Sequence, residues 1–406
     1  MALKVVWTSD LHFELKTDEV DRNPEILRIT LDVVDKAVEF KKENHQVILV
    51  LGGDIFNNNS PSEKTISSFF TVLNKIKQNE LDTYIIVGNH ESVADPVRLS
   101  CLSFIKKAKV GYPTIKLIDD IASLKITTND CGDLHFTFLP HITKAVLESN
   151  HRKMRFLEIT DTQTYIETKC RAIVKRIGIG QHYVFSHLNV RGAHPGSEEN
   201  LLRKSEAYLP KCFVTEIEGV NLPTIIQGHL HTRAKIGNIN IIGNPLYCGF
   251  GETSEKYYAV IHINGQISKP DTIEYIKSKC VPFLQLDINL IEATKDFFEI
   301  DEVKQFWEIA TQFSDDTPMV KFNITTNPEN NSYDWEAIRG KWSRLLKCNV
   351  KPIIPRVISK KIVRSENQKI NLDPKDSVKI YLKANLKNDN ERANRIYEKT
   401  LKYLGE

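Results

Sequence analysis

The chain has 406 residues, of which 41% are hydrophobic and 26% charged, with a net charge of +3. This is a soluble globular composition, long enough for two or three domains, and no apolar run approaches the ~20 residues that a membrane span needs. Residues 351–406 carry 14 Lys and Arg against 7 Asp and Glu, net +7, which leaves the first 350 residues at −4. Overall basicity therefore gives no ground for nucleic-acid binding, and only the C-terminal stretch hints at it.

The chain passes from Met1 straight into the apolar run Leu3–Thr8, which reads as a strand and not as a signal peptide. Asn23-Pro24 caps a helix whose Ile26, Ile29, Val33, Val34, Ala37 and Phe40 keep a helical period. Val47–Leu51 reads as a buried strand. Pro61-Ser62 opens a second helix with Ile66, Phe69, Phe70, Leu73 and Ile76 inward, and Tyr84–Val87 is a third strand. Strands follow near Ala122–Ile126 and Leu134–Leu139, a helix over Leu157–Lys175, and strands at Tyr183–Phe185 and Thr224–Gln227. A hairpin (Ala234–Ile236, Asn240–Ile242) and a strand at Tyr258–Ile263 complete an alternating α/β domain over residues 1–275. Residues 276–350 read as a small α+β module: strand Phe283–Ile288, helix Glu302–Thr311, strand Met319–Ile324 and helix Trp335–Leu346. In 351–406 a Lys-rich link leads to two helical stretches. One starts at Asp373-Pro374 with Val378, Leu382 and Leu386, and the other carries Ile396, Tyr397, Leu401 and Leu404. Seven cysteines (101, 131, 170, 212, 248, 280, 348) are spread singly, which suits a reducing cytosol and argues against disulfides or a thiolate metal site.

Five polar signatures each follow an apolar strand: Asp10-Leu11-His12, Gly53-Asp54, Gly88-Asn89-His90-Glu91, Ser186-His187 and Gly228-His229-Leu230-His231. Singly, most are weak. In this order they place carboxylates and imidazoles at one sheet edge, as two adjacent divalent metals require. In the last signature the glycine allows a sharp turn, so that two imidazoles face one site.

This set resembles the calcineurin-like metallophosphoesterase superfamily and, within it, the SbcD-type DNA repair nucleases and their tailed-phage counterparts, the recombination endonuclease subunits. Gly53-Asp54-Ile55-Phe56 with Pro61-Ser62-Glu63-Lys64-Thr65, and Ile242-Gly243-Asn244-Pro245-Leu246, are similar to stretches of that branch. The resemblance implies a two-sheet β-sandwich flanked by helices, with the α+β module as a DNA-capping domain and the helical tail docking on a partner. It implies one metal on Asp10, His12 and His231, a second on Asn89, His187 and His229, and Asp54 bridging them. All-N/O ligation suits Mn²⁺, with Mg²⁺, Fe²⁺ and Zn²⁺ as alternatives. His90 is implied as the catalytic histidine, with Glu91 placed to orient it. Asn57 stands where some relatives carry a second histidine. Arg191 and His194 are candidate DNA contacts, as are Arg203, Lys204, Arg233 and Lys235.

The expected function is that of a Mn²⁺-dependent DNA exo/endonuclease subunit hydrolysing phosphodiesters by a two-metal mechanism. The expected setting is the bacterial or phage-infected cytosol, with an SMC-like ABC ATPase of the SbcC type and a homodimer within a heterotetramer. The alternative is a stand-alone metallophosphatase or nucleotidase, because one metal centre serves many phosphoesters.

Overall fold

The computed structural model describes residues 3–95, 97–108, 111–128, 130–153, 161–178, 180–193, 207–215, 220–264, 271–291, 296–313, 317–327, 333–357 and 394–399. In chain order the elements begin with β1 (Leu3–Thr8), the small pair β2 (Lys16–Thr17) and β3 (Val20–Asp21), α1 (Asn23–Lys42), β4 (Gln46–Leu51), α2 (Glu63–Gln78) and β5 (Asp82–Ile86). Next come α3 (Phe104–Lys107), β6 (Ile115–Ile118), β7 (Ala122–Thr128), β8 (Gly132–Leu139), α4 (Lys144–Lys153), α5 (Thr162–Ile177), β9 (His182–Ser186) and β10 (Thr224–Gln227). After these lie β11 (Ala234–Ile236), β12 (Ile239–Ile241), β13 (Tyr257–Ile263), β14 (Thr272–Lys277), β15 (Phe283–Asn289), α6 (Asp301–Thr311), β16 (Met319–Thr326), α7 (Trp335–Leu346), β17 (Asn349–Val350) and β18 (Arg356–Val357).

Two six-stranded sheets form the larger part, in the orders β14-β13-β1-β4-β5-β6 and β11-β12-β10-β9-β8-β7. Their facing sides meet in one core: Val5, Trp7, Val50 and Tyr84 of the first sheet pack with Phe136, Phe138, Phe185 and Ile226 of the second. The opposite side of the first sheet is covered by Ile26, Val33 and Ala37 of α1 and Phe69, Leu73 and Ile76 of α2. The opposite side of the second is covered by Val146 of α4 and Ile166, Cys170 and Val174 of α5. The result is the expected β-sandwich flanked by helices. β1, β4, β5 and β6 run parallel, as do β8, β9 and β10, so their carboxyl ends open on common edges. Burial on both faces explains why these strands read as near-continuous apolar runs.

α1 buries the expected periodic residues, whereas on α2 Ile66 and Phe70 are only half-buried and Val72 takes an inward place. The helix expected from Leu157 starts at Thr162, where the Asp161 carboxylate accepts from the amides of Gln163 and Thr164; residues 157–160 lie outside the described residues. In the α+β segment, Trp342 is fully buried among Phe306, Phe322 and Trp307, with ring centroids 4.6–5.6 Å away. Phe283 joins this segment to the two-sheet part, its ring tilted against Tyr247 and Phe250 with the Arg22 guanidinium 5.0 Å from its centroid.

The chain divides into two compact units. One holds Met1–Ile288, Thr294–Ile324 and Tyr333–Pro355; the other holds Asn289–Ala293, Thr325–Ser332 and Arg356–Glu406. The helical stretch expected after Asp373-Pro374 lies outside the described residues. In the last stretch residues 394–399 are helical, with Ile396 and Tyr397 on them, while Leu401 and Leu404 lie outside. No helix among the described residues is long and apolar enough to cross a membrane.

Candidate metal centre

The segments after β1 and β4 run side by side and lock each other. The amides of Asp10, His12 and Phe13 donate to the carbonyls of Gly53, Asp54 and Ile55 at 2.8–2.9 Å, and the Asn57 amide donates back to Phe13. Asp10 (φ 56°), His12 (φ 51°), Asp54 (φ 49°) and His229 (φ 70°) all sit in the left-handed region. Such strain costs about 1–3 kcal/mol per residue and persists where surrounding structure over-determines it, typically at functional sites. The glycines serve close approach: a Cβ on Gly53 would lie 2.3 Å from His187 Nδ1, and one on Gly228 would lie 2.9 Å from Ser9 Oγ and 3.1 Å from the Gly52 carbonyl. At Gly228 the requirement is thus space, and the left-handed residue at this turn is His229.

These loops bring seven predicted ligand residues together in two adjoining halves. In one, His12 Nε2 and His231 Nε2 are 3.3 Å apart and Asp10 Oδ1 is 4.0 Å from His231 Nε2. In the other, Asn89 Oδ1 lies 3.1 Å from both His187 Nε2 and His229 Nδ1. Asp54 stands between, with Oδ2 3.2 Å from His187 Nε2, and donor atoms of His12, Asp54 and His90 also converge within 4.8 Å. His229 and His231 therefore face the two adjoining halves of one site.

Residues the motifs did not single out set the tautomers. The Gly52 carbonyl accepts from His187 Nδ1 at 2.8 Å, so Nε2 is the nitrogen left to face a cation. Glu252 does the same for His231 through Nδ1 at 2.8 Å, and is itself held by Lys256 Nζ at 2.5 Å. The Asn189 side-chain oxygen faces His229 Nε2 at 3.0 Å, turning Nδ1 toward Asn89. Each partner fixes which ring nitrogen can bind a cation. No local sequence signal marks Asn189 or Glu252.

His90 and Glu91 differ from the expected pairing. The Asn57 carbonyl accepts from His90 Nδ1 at 2.7 Å, leaving Nε2 4.0 Å from Asp54 Oδ2. The fully buried Glu91 carboxylate instead accepts from the amides of Asp54, Phe56 and Gly88 at 2.7–3.1 Å, tying two site loops together. Burial, then the charge of Asp54, pushes Glu91 up to about 8.

The donor set fits divalent cations. Asp10 is fully buried, yet its Oδ1 has no well-formed hydrogen bond. Burial holds His12 and His229 low, the latter at about 3, so both are neutral donors. Burial opposes charge on His187 too, but the Asp54 carboxylate outweighs it and raises the ring to about 10. Burial also disfavours an ionised Asp54, but His187 leads several imidazoles that hold its carboxyl well below the ordinary range. Positive charge is wanted in this pocket.

Of the remaining predicted residues, Arg191 is exposed, lies over the Tyr208 ring at 4.7 Å and lines a cleft of about 290 Å³ with Asn189 and Leu230. His194, Arg203 and Lys204 lie outside the described residues. Arg233 stacks on Tyr257 and Tyr275 at 4.5 and 5.0 Å. His141, which no motif marked, donates its amide to the Val87 carbonyl beside the Gly88-Asn89 loop, and burial lowers its ring to about 4. The dispersed cysteines argued against a sulfur ligand, yet Cys248 Sγ falls within 4.8 Å of donor atoms of both His12 and His231.

The profile of the calcineurin-like phosphoesterases matches residues 3–233, and the chain belongs to that family. That family is one of metal-dependent phosphoesterases, and the donor cluster of this chain fits the divalent metals the family uses. The chain is 22% identical over 284 residues to the DNA double-strand break repair protein Mre11 of Methanocaldococcus jannaschii, covering 66% of this chain and 64% of that protein. Among solved structures it is similar to the calcineurin-like phosphoesterase YfkN of Bacillus subtilis (12% identity, 68% of this chain and 93% of that one, TM-score 0.37). It is also similar to a 5'-nucleotidase of Candida albicans (13% identity, 77% and 58%, TM-score 0.39).

Proposed function

We propose that this chain is the nuclease subunit of a Mn²⁺-dependent complex that hydrolyses DNA phosphodiesters, working in the cytosol with an SMC-like ATPase in recombination, repair or degradation. The observation that carries this reading is the likeness to the double-strand break repair protein, which extends over a longer stretch than the family profile covers. The α+β segment after the catalytic sheets adds to it, since a simple phosphatase does not need such a module. Homodimerisation and docking of the tail on the ATPase belong to the same proposal.

Asp10, His12 and His231 would hold one cation, Asn89, His187 and His229 the other, with Asp54 shared. Divalent cations there would neutralise charge on the phosphoryl oxygens and act as Lewis acids. The Asn57 carbonyl keeps a proton on His90 Nδ1, so Nε2 is the atom that can carry a second proton toward a leaving oxygen. Arg191, which lines one cleft with Asn189, would contact a backbone phosphate, with His194 as a second candidate.

The decisive assay is linear duplex DNA with Mn²⁺, alone and with the ATPase and ATP, beside a small phosphomonoester. DNA nicking or degradation is expected. Hydrolysis of the monoester with DNA left intact would sink the nuclease reading in favour of a phosphatase or nucleotidase. His90→Gln should lower turnover while two metals per chain remain by elemental analysis; loss of one metal would make His90 a ligand instead.

A further inference from the structure

Among the described residues, Cys248 is the one cysteine whose sulfur falls in a donor cluster with predicted ligand residues of the centre. Sγ lies with donor atoms of His12 and His231 in one cluster, all within 4.8 Å of one another. Metal–sulfur and metal–nitrogen bonds of about 2.3 and 2.1 Å can span up to about 4.4 Å, so small side-chain adjustments suffice.

The surroundings of the sulfur are built. Lys256 Nζ can only donate, and it donates to Asn244 Oδ1 at 2.6 Å. This fixes the amide so that Asn244 Nδ2 donates to Cys248 Sγ at 3.3 Å. The Cys248 amide donates to Glu252 Oε2 at 3.2 Å, and the other oxygen of that carboxylate holds His231. Sulfur and imidazole are thus positioned by the same Glu252–Lys256 pair. Independently, the buried Asp10 Oδ1 without a well-formed hydrogen bond points to a cation in this half.

We propose that Cys248 supplies a sulfur ligand to the cation held by Asp10, His12 and His231, so that this half of the centre favours borderline cations such as Zn²⁺, Co²⁺ or Fe²⁺ over Mg²⁺. The inference rests on the proposed assignment of those three residues as ligands. Thiolate ligation selects softer metals, whereas an all-N/O half does not. The thiol proton leaves to solvent as the cation binds.

The test is Co²⁺ titration of the full chain, wild type and Cys248→Ser, followed by absorption. Wild type should show visible d–d bands and a sulfur-to-cobalt charge-transfer band in the near ultraviolet. Cys248→Ser should keep the d–d bands, lose the charge-transfer band, and bind Zn²⁺ at least roughly tenfold more weakly in one of its two sites. Far-ultraviolet circular dichroism checks that the variant is folded, and a Cys248→Ala variant repeats the comparison without a hydroxyl ligand. Identical near-ultraviolet spectra in wild type and both variants would overturn the sulfur ligand and leave the Asp10–His12–His231 assignment standing. Absence of any d–d band in the wild type would overturn that assignment, and the sulfur proposal with it.

Discussion

At the scale of single residues, the centre depends as much on what stands behind the imidazoles as on the imidazoles themselves. The Asn189 oxygen on His229 Nε2 is what makes Nδ1 the binding atom. Asn189→Ala should therefore weaken binding in that half about 10–100-fold, by Mn²⁺ calorimetry, with the fold intact; unchanged affinity would remove Asn189 from the site. Glu252 gives a second test. Burial opposes its ionisation, but His231 and Lys256 outweigh this and hold its carboxyl at about 2, below the ordinary 4.5. Its contribution to stability is thus full above about 4.5 and disappears as pH falls toward 2. Glu252→Gln leaves Lys256, whose side chain is 1% exposed, without its carboxylate, which costs about 3–5 kcal/mol at neutral pH. In urea unfolding the gap between wild type and variant should narrow by roughly 2 kcal/mol between pH 7 and pH 3. The raised rings of His187 (about 10) and His231 add a pH effect on binding, because a cation must displace their protons. Metal affinity should rise with pH, with proton release seen as buffer-dependent heats; heats independent of the buffer would contradict the ring assignments.

At the scale of elements, strands deliver the ligands and paired loops hold them. Glu91 accepts three amides from the loops after β4 and β5. Glu91→Ala would strand those buried N–H groups at about 1–3 kcal/mol each. The midpoint of thermal unfolding should drop by several degrees in the metal-free chain, and a drop under about 2 °C would mean that water replaces the staple. The strands carrying the signatures were legible because they are buried on both faces, and the polar residues at their ends, weak singly, were legible as an ordered set of five. What was not legible has physical reasons. In α4 the buried Ala145, Val146 and Leu147 are consecutive, without a helical period, in an otherwise polar segment. The edge strand β14 alternates between half-buried and exposed residues, and β6 has only four residues. Asn189, Glu252 and Cys248 act through contacts that only the folded chain creates, so nothing near them in sequence announces a role. His90 illustrates the same limit: its position was readable, but its partner is a backbone carbonyl from another loop.

At the scale of the whole molecule, the charge distribution decides how a polyanion could reach the centre. Residues 1–350 carry net −4 and residues 351–406 net +7. A negative body repels DNA until cations occupy the site, so attraction at a distance must come from the bound metals or from the C-terminal stretch. If that stretch contacts phosphates, removing it should change the salt dependence of DNA binding more than the chemistry. A chain ending at Pro355 should still hydrolyse a small phosphodiester in Mn²⁺ at a rate near that of the full chain. Its log–log slope of duplex affinity against salt should become shallower by up to about 5, the limit if all six net charges of residues 356–406 neutralise phosphates. An unchanged slope, with capture of the ATPase lost instead, would assign the tail wholly to the protein partner. Loss of both would mean that the tail serves DNA and partner together.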